Sequence, residues 1–326
     1  MVEKSKLYME QYKTKQDPND YGLADDKWSF QRFTEQMKIV VVKLNHLEME
    51  FDLIGVHPAI ANAFRRLMLS EVPSMAIEKV YIYNNTSIIQ DEVLAHRLGL
   101  IPLKADARLF DFVQDDATDE GNENNTLEFE LKAKCVKRNV KDSSNFDHIY
   151  KNHKIHSGQI KWKPKGKQAT LYKEEDVGVI HSDILISQMR PGHEFDLKLF
   201  AVKGVGKDHA KFSPVATAFY RLLPEITLNR KYHGKEAFLL QKCFSPGVIG
   251  IDDNDCAYVK DSRYDTCSRN VYRYPHLAEG VTLSRIRDHF IFNIESVGAM
   301  APQIIFVEAV KVLKKKCRTL LEELNA

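Results

Sequence analysis

From Pro302 to the chain end, Phe306, Val310, Leu313, Cys317, Leu320 and Leu324 recur at steps of four and three residues. This period lays an apolar seam along one side of a helix, the geometry by which helices pack on helices. At ~1.5 Å per residue such a helix overhangs one small domain, so the pattern predicts a partner surface. A second helix is predicted between Pro58 and Pro73. Ile60, Phe64, Leu67 and Met68 share one of its faces, and Ala61 and Ala63 permit close approach. Periodicity alone favours an ordinary core helix over a partner-facing one. Beside that stripe stand Arg65 and Arg66, whose rigid donor forks suit carboxylates or carbonyls at an interface as well as solvent.

Elsewhere the period is mostly two. Leu47, Met49, Phe51 and Leu53 alternate with charged or imidazole side chains, predicting a half-buried strand that Gly55 breaks. Ile77–Tyr83, Leu127–Cys135, Ile160 with Trp162, Phe195–Ala201 and Phe290–Ile294 read as further strands. Between the first two lies a short helix over residues 91–98, with Asp91 expected as its N-cap and Gly99 as a left-handed stop. Residues 1–36 show no sustained period and are expected to be an extension ordered only by a partner. Residues 114–125, acidic and rich in asparagine, are expected to be a mobile loop.

The expected fold class is therefore α+β. An early strand and helix join a late strand and helix in a discontinuous domain, residues 37–78 with 283–326. The β-rich segment 79–282 is inserted between them, and no βαβ repetition appears.

Composition narrows the function classes. The 326 residues are 44% hydrophobic and 28% charged, with a net charge of +2. A globular chain of about two domains follows, with no whole-chain field that demands nucleic acid. No apolar run has signal-peptide or bilayer-spanning character, so no membrane role is expected. Five scattered cysteines fit a reducing, intracellular setting.

The candidate chemistries fail on spacing. His153 and His156 lack companion ligands, and Cys243, Cys256 and Cys267 are too far apart for a four-ligand site. Asp252-Asp253-Asn254-Asp255 lacks the glycine and terminal glutamate of a calcium loop. Gly204-Val205-Gly206-Lys207 has the wrong glycine spacing for a phosphate loop, and Asp208 follows where Ser or Thr is required. No metal, cofactor or catalytic residue is expected. The basic stretches Lys161–Lys167 and Lys311–Arg318 leave one alternative, a free-standing nucleic-acid-binding protein.

Two blocks carry a resemblance. Asn62-Ala63-Phe64-Arg65-Arg66-Leu67-Met68-Leu69-Ser70-Glu71-Val72-Pro73 is followed by Asp91-Glu92-Val93-Leu94-Ala95-His96-Arg97-Leu98-Gly99-Leu100-Ile101-Pro102-Leu103. With Lys211–Ala218, Phe292–Gly298 and the terminal helix, they make residues 36–326 resemble the α-like subunits of cellular RNA polymerases. The closest resemblance is to the larger α-like subunits shared by eukaryotic polymerases I and III, a group related to bacterial α and archaeal D. The zinc-binding cysteines of the polymerase II counterpart are missing, since no cysteine lies between Leu103 and Cys135. No iron–sulfur set of the archaeal kind is matched either.

The resemblance implies a non-catalytic scaffold in the nucleus, including the nucleolus, serving transcription of rRNA, 5S rRNA and tRNA genes. It implies an obligate heterodimer with a small α-like subunit. The dimer would use Ile60, Ala63, Phe64, Leu67, Met68, Phe306, Val310, Leu313, Cys317, Leu320 and Leu324. Arg65 and Arg66 would help seat the second-largest subunit, the largest subunit would join the same platform, and DNA or RNA would be met only through the complex.

Overall fold

The computed structural model describes residues 6–16, 29–113, 121–138 and 146–325. In chain order the main elements are β1 (Lys6–Met9), β2 (Thr14–Gln16), α1 (Phe30–Gln36), β3 (Lys38–Leu44), β4 (Glu48–Ile54) and α2 (Pro58–Ser70). Then come β5 (Pro73–Asn85), α3 (Asp91–Gly99), β6 (Thr126–Lys134), β7 (Lys161–Lys163), β8 (Glu194–Val205) and β9 (Val215–Leu228). The chain closes with α4 (Gly234–Cys243), β10 (Ile249–Ile251), β11 (Ala257–Val259), β12 (Val281–Ser296) and α5 (Pro302–Asn325). Helices and antiparallel sheets together make an α+β fold. Short strands and 3-10 turns connect these elements.

The chain divides into two compact units, with boundaries inside α2, β9 and β12. One holds residues 1–44, 49–63 and 219–293; the other holds 45–48, 64–218 and 294–326.

The first unit is built on a six-stranded sheet in the order β2-β1-β12-β4-β3, with β9 also paired to β12. Met49, Phe51 and Leu53 point inward from β4 as their alternation requires. Phe51 stacks on Phe292 at 5.1 Å, and Tyr220 meets both Phe290 and Phe292. A second cluster gathers Tyr232, Leu240, Val248, Val271 and Leu277 around α4. The hydroxyl of fully buried Tyr232 donates to the Leu277 carbonyl at 2.7 Å, meeting its polar requirement.

Part of the expected extension is sheet. β1 pairs antiparallel with β12, Lys6 opposite Ile286, and Lys6 reaches Glu225 at 2.8 Å. Met9 is buried, and Tyr272 donates its hydroxyl proton to the Met9 carbonyl. Four residues are too short to show a period, which is why the sequence hid this strand. Residues 1–5 and 17–28 of the expected extension lie outside the described residues.

The second unit is built on the four-stranded sheet β7-β6-β8-β5. Leu127, Phe129 and Leu131 of β6, with Phe195, Leu197 and Leu199 of β8, form its buried face, where Leu94 and Leu98 of α3 also lie. Asp91 is the first residue of α3 rather than its cap, which is Gln90. Gly99 is helical and buried instead of left-handed. A Cβ there would stand 3.4 Å from the Ile77 carbonyl oxygen, an ordinary contact, so neither the backbone conformation nor the packing on β5 demands glycine at this position. Where a left-handed residue is needed is Gly298, at φ +106°, before α5.

Of the expected mobile loop, residues 114–120 lie outside the described residues. Residues 121–125 are tied down. The Asn125 side chain accepts from the Asn122 amide, and Glu123 accepts from the Lys167 amide at 2.8 Å.

A candidate subunit interface on the terminal helix

α5 is two-faced along its length. In its first turns Ile305, Phe306 and Ala309 are buried. The Phe306 ring stands edge-on to Phe64 at 5.3 Å, and Phe64, Leu67 and Met68 of α2 are buried. Beyond Ala309 the cover ends. Val310 is 39% exposed, Leu320 and Leu321 are each 59% exposed, and Leu324 is 81% exposed. Cys317 is exposed and Leu313 half-buried. The Lys316 ammonium reaches the Glu71 carboxylate at 2.6 Å, bringing the middle of α5 to the C-terminal end of α2.

The predicted seam therefore splits. Phe64, Leu67, Met68 and Phe306 are packed within the chain itself, because both helices share one apolar layer. Val310, Cys317, Leu320 and Leu324 lack cover. Ile60 and Ala63 are half-buried. Val307, 50% exposed, and Leu321 join the bare row although they lie off the six-residue period. Their signal was the wider apolar arc that Val307 and the Leu320-Leu321 pair create. An uncovered apolar row over the last four turns of a helix marks an interaction surface rather than a free solvent face.

Of the two arginines, Arg66 is exposed and Arg65 half-buried. The other signature residues are structural. Arg97 donates to the Leu185 carbonyl at 2.7 Å. The Lys211 ammonium donates to the Ile77 carbonyl at 2.9 Å and pairs with Glu78, securing the 211–214 turn on β5. In Gly204-Val205-Gly206 the glycines serve close packing. A Cβ on Gly204 would be 2.7 Å from the Phe212 ring, and one on Gly206 would be 2.2 Å from the Leu69 carbonyl oxygen. The Asp252 carboxylate accepts from the amides of Asn254 and Cys256, capping its own turn.

The basic hairpin is partly tied down. Lys163 pairs with Glu130 at 3.1 Å, and Lys165 donates to the Gly121 carbonyl. Glu130 and Lys132 complete a ladder of alternating sign across the sheet. Hydrogen bonds from Lys132 and Lys163 hold the Glu130 carboxyl below the usual carboxylate range. Such a ladder is a poor field for a phosphate backbone. Burial raises the thiols of Cys135, Cys243 and Cys267, so they are poor nucleophiles at neutral pH. Among the described residues no helix is long and apolar enough to cross a membrane.

The sequence profile of the RNA polymerase Rpb3/Rpb11 dimerisation domain matches residues 50–317. The chain belongs to this family. Within the Rpb3/Rpb11 family it is 49% identical over 314 residues to the mouse DNA-directed RNA polymerases I and III subunit RPAC1, covering 95% of this chain and 90% of the relative. The budding yeast protein of that name is 46% identical over 302 residues, 91% of this chain and 90% of its own length. The Dictyostelium DNA-directed RNA polymerase II subunit rpb3 is 31% identical over 303 residues, covering 87% and 94%.

A feature the sequence did not expose is the ionic cluster behind β4. Arg263 donates to Asp52 at 2.7 Å and to Glu50 at 2.6 Å, and His289 lies 3.0 Å from the same Asp52. Burial opposes the Arg263 charge, but the two carboxylates overcome it and raise its pKa. Asp52 had appeared as the polar side of an alternating strand. Only the fold brings Arg263 to it.

Proposed function

We propose that the chain is the non-catalytic assembly subunit shared by RNA polymerases I and III. It forms an obligate heterodimer with the small α-like subunit, and on that platform the second-largest and largest subunits assemble. It supplies no residue to the active site and meets DNA and RNA only through the complex. It works in the nucleus, including the nucleolus, in transcription of rRNA, 5S rRNA and tRNA genes and so in ribosome biogenesis.

The observation that carries this reading is the uncovered apolar row from Val310 to Leu324 in a chain of the Rpb3/Rpb11 dimerisation family. Obligate interfaces resemble a core cut in two and bury upwards of ~2,000 Å². In the heterodimer this row and Leu313 lie against helices of the small subunit, and Ile60 and Ala63 take part in the interface as well. Phe64, Leu67, Met68 and Phe306 support it from beneath. Arg65 and Arg66 face the second-largest subunit. Functionally, 37–78 with 283–326 acts as the dimerisation domain and 79–282 as its insert, a division that does not follow the compact units.

Co-expression tests the reading. The chain alone should aggregate, whereas expression with the small α-like subunit should give a soluble one-to-one complex. A monodisperse, stable monomer that ignores the small subunit would overturn it.

A further inference from the structure

The basic run of α5 is not accounted for by the apolar row beside it. Between Glu308 and Glu322 the helix carries five cations, Lys311, Lys314, Lys315, Lys316 and Arg318, and no carboxylate. Like charges three and four residues apart repel on a helix surface, so such a run disfavours the free helix. Two of the five are answered from within the chain: Lys311 reaches Glu308 at 2.8 Å, and Lys316 reaches Glu71 at 2.6 Å. Lys315 lies near enough to Lys203 for the two charges to oppose each other. Lys314 and Arg318 meet no carboxylate among the described residues.

Lys314 differs from the others in its neighbours. Residues three, four and seven positions away lie along the same face of a helix. Around Lys314 these include Val307, Val310, Cys317 and Leu321, all exposed members of the bare row, while Lys311 and Arg318 bound it on one side. Lys314 is itself exposed, so one ammonium stands inside the apolar row. A partner that covers the row takes this ammonium out of water. That is unfavourable unless a carboxylate meets it.

We propose that Lys314 is a specificity residue of the heterodimer, its ammonium paired with a carboxylate on the facing helix of the small α-like subunit. Valines and leucines along a helix accept many apolar partners. A single polar residue in such a seam narrows the choice, at some cost in strength. The matching helix is therefore apolar along its length, with an acidic residue opposite Lys314. A phosphate backbone does not suit the same place, because it would leave the surrounding valines and Leu321 in water. The pairing rests on the heterodimer reading above, and the measurements keep the two apart.

Dissociation constants of heterodimers made by co-expressing the full-length chain with the small subunit test the pair. Lys314→Glu sets two negative charges against each other and should weaken the heterodimer about a hundredfold or more. Lys314→Arg keeps the charge and should stay within about threefold of the parent. Lys314→Gln should lose roughly tenfold, so the pair is still tested if the glutamate variant fails to fold. Lys315→Glu makes the same change in net charge about 100° round the helix and should also stay within about threefold. Equal losses from Lys314→Glu and Lys315→Glu would overturn the proposal, since a general field and not one pair would be at work. Parent-like affinity of Lys314→Glu would overturn it too, as for a lysine that bends out to solvent or meets nucleic acid. Failure of the parent chain to form any heterodimer would sink the assembly reading and the pair together; a heterodimer that tolerates Lys314→Glu and Lys314→Gln sinks the pair alone.

Discussion

The ring of Phe306 meets that of Phe64 edge-to-face, with centroids 5.3 Å apart and planes at 62°. One residue belongs to the first long helix and the other to the last. This contact ties the root of α5 to α2 and sets the direction in which the uncovered half of α5 projects. Stability and assembly thus reside on different residues of one helix, and substitutions should separate them.

Phe306→Ala removes a ring that is 8% exposed and leaves a cavity against Phe64. It should cost about 3–5 kcal/mol of folding stability, read as a lowered urea midpoint for unfolding. A loss below about 1 kcal/mol would mean that the two helices are held together elsewhere.

Leu320→Asp should act the other way round. The site is 59% exposed, so the chain's own unfolding should shift by less than about 0.5 kcal/mol. In the heterodimer the carboxylate would be buried without a partner, at a cost of several kcal/mol. Affinity for the small subunit should fall by roughly two to three orders of magnitude. Pull-down or calorimetric titration would reveal it, and unchanged binding would remove Leu320 from the interface.

Arg263→Ala should destabilise the first unit by about 3–5 kcal/mol, because it leaves Asp52 and Glu50 together without their cation. Replacing Glu50 by Gln should cost less, since Asp52 remains paired. Chemical denaturation of the two variants decides the order, and equal costs would contradict the geometry.

The glycines of Gly204-Val205-Gly206 should fail as packing residues, without any nucleotide phenotype. Gly204→Ala should cost about 1–3 kcal/mol, because the Phe212 ring can tilt. Gly206→Ala should cost more, because the Leu69 carbonyl it meets is backbone. Thermal unfolding would show the ranking.

Burial pushes the Asp265 carboxyl above its ordinary range, against the pull of the Cys267 amide, Arg285 and Arg221. A folded-state pKa above the unfolded one favours the protonated acid in the folded chain. The stabilisation is therefore complete below the ordinary carboxylate pKa and is lost as pH rises through the raised value. Asp265→Asn should consequently be more stable than the parent at neutral pH, and the gap should close on acidification. Urea midpoints across a pH series would test this, and a gap independent of pH would contradict it.

Much of the molecule was legible in one dimension. A period of two located β4, β6, β8 and the late part of β12, and a four-three period located α5, because repeated burial of one face leaves a repeated mark. The paired blocks around Arg65-Arg66 and His96-Arg97 were enough to suggest the family, which the profile match over residues 50–317 bears out. β1, of four residues, and α4, whose apolar residues from Ala237 to Leu240 form one short run between Lys235 and Lys242, left no such mark.

Sequence alone determined that α5 carries an apolar seam and that the chain is α+β. Periodicity reports which side chains avoid water but not what covers them. Only the tertiary structure decided that Phe306 is covered from within while Leu324 is bare, that Arg263 reaches across to Asp52, and that β3 lies at a sheet edge. Those outcomes depend on contacts between residues far apart in the chain, and a linear pattern carries no record of them.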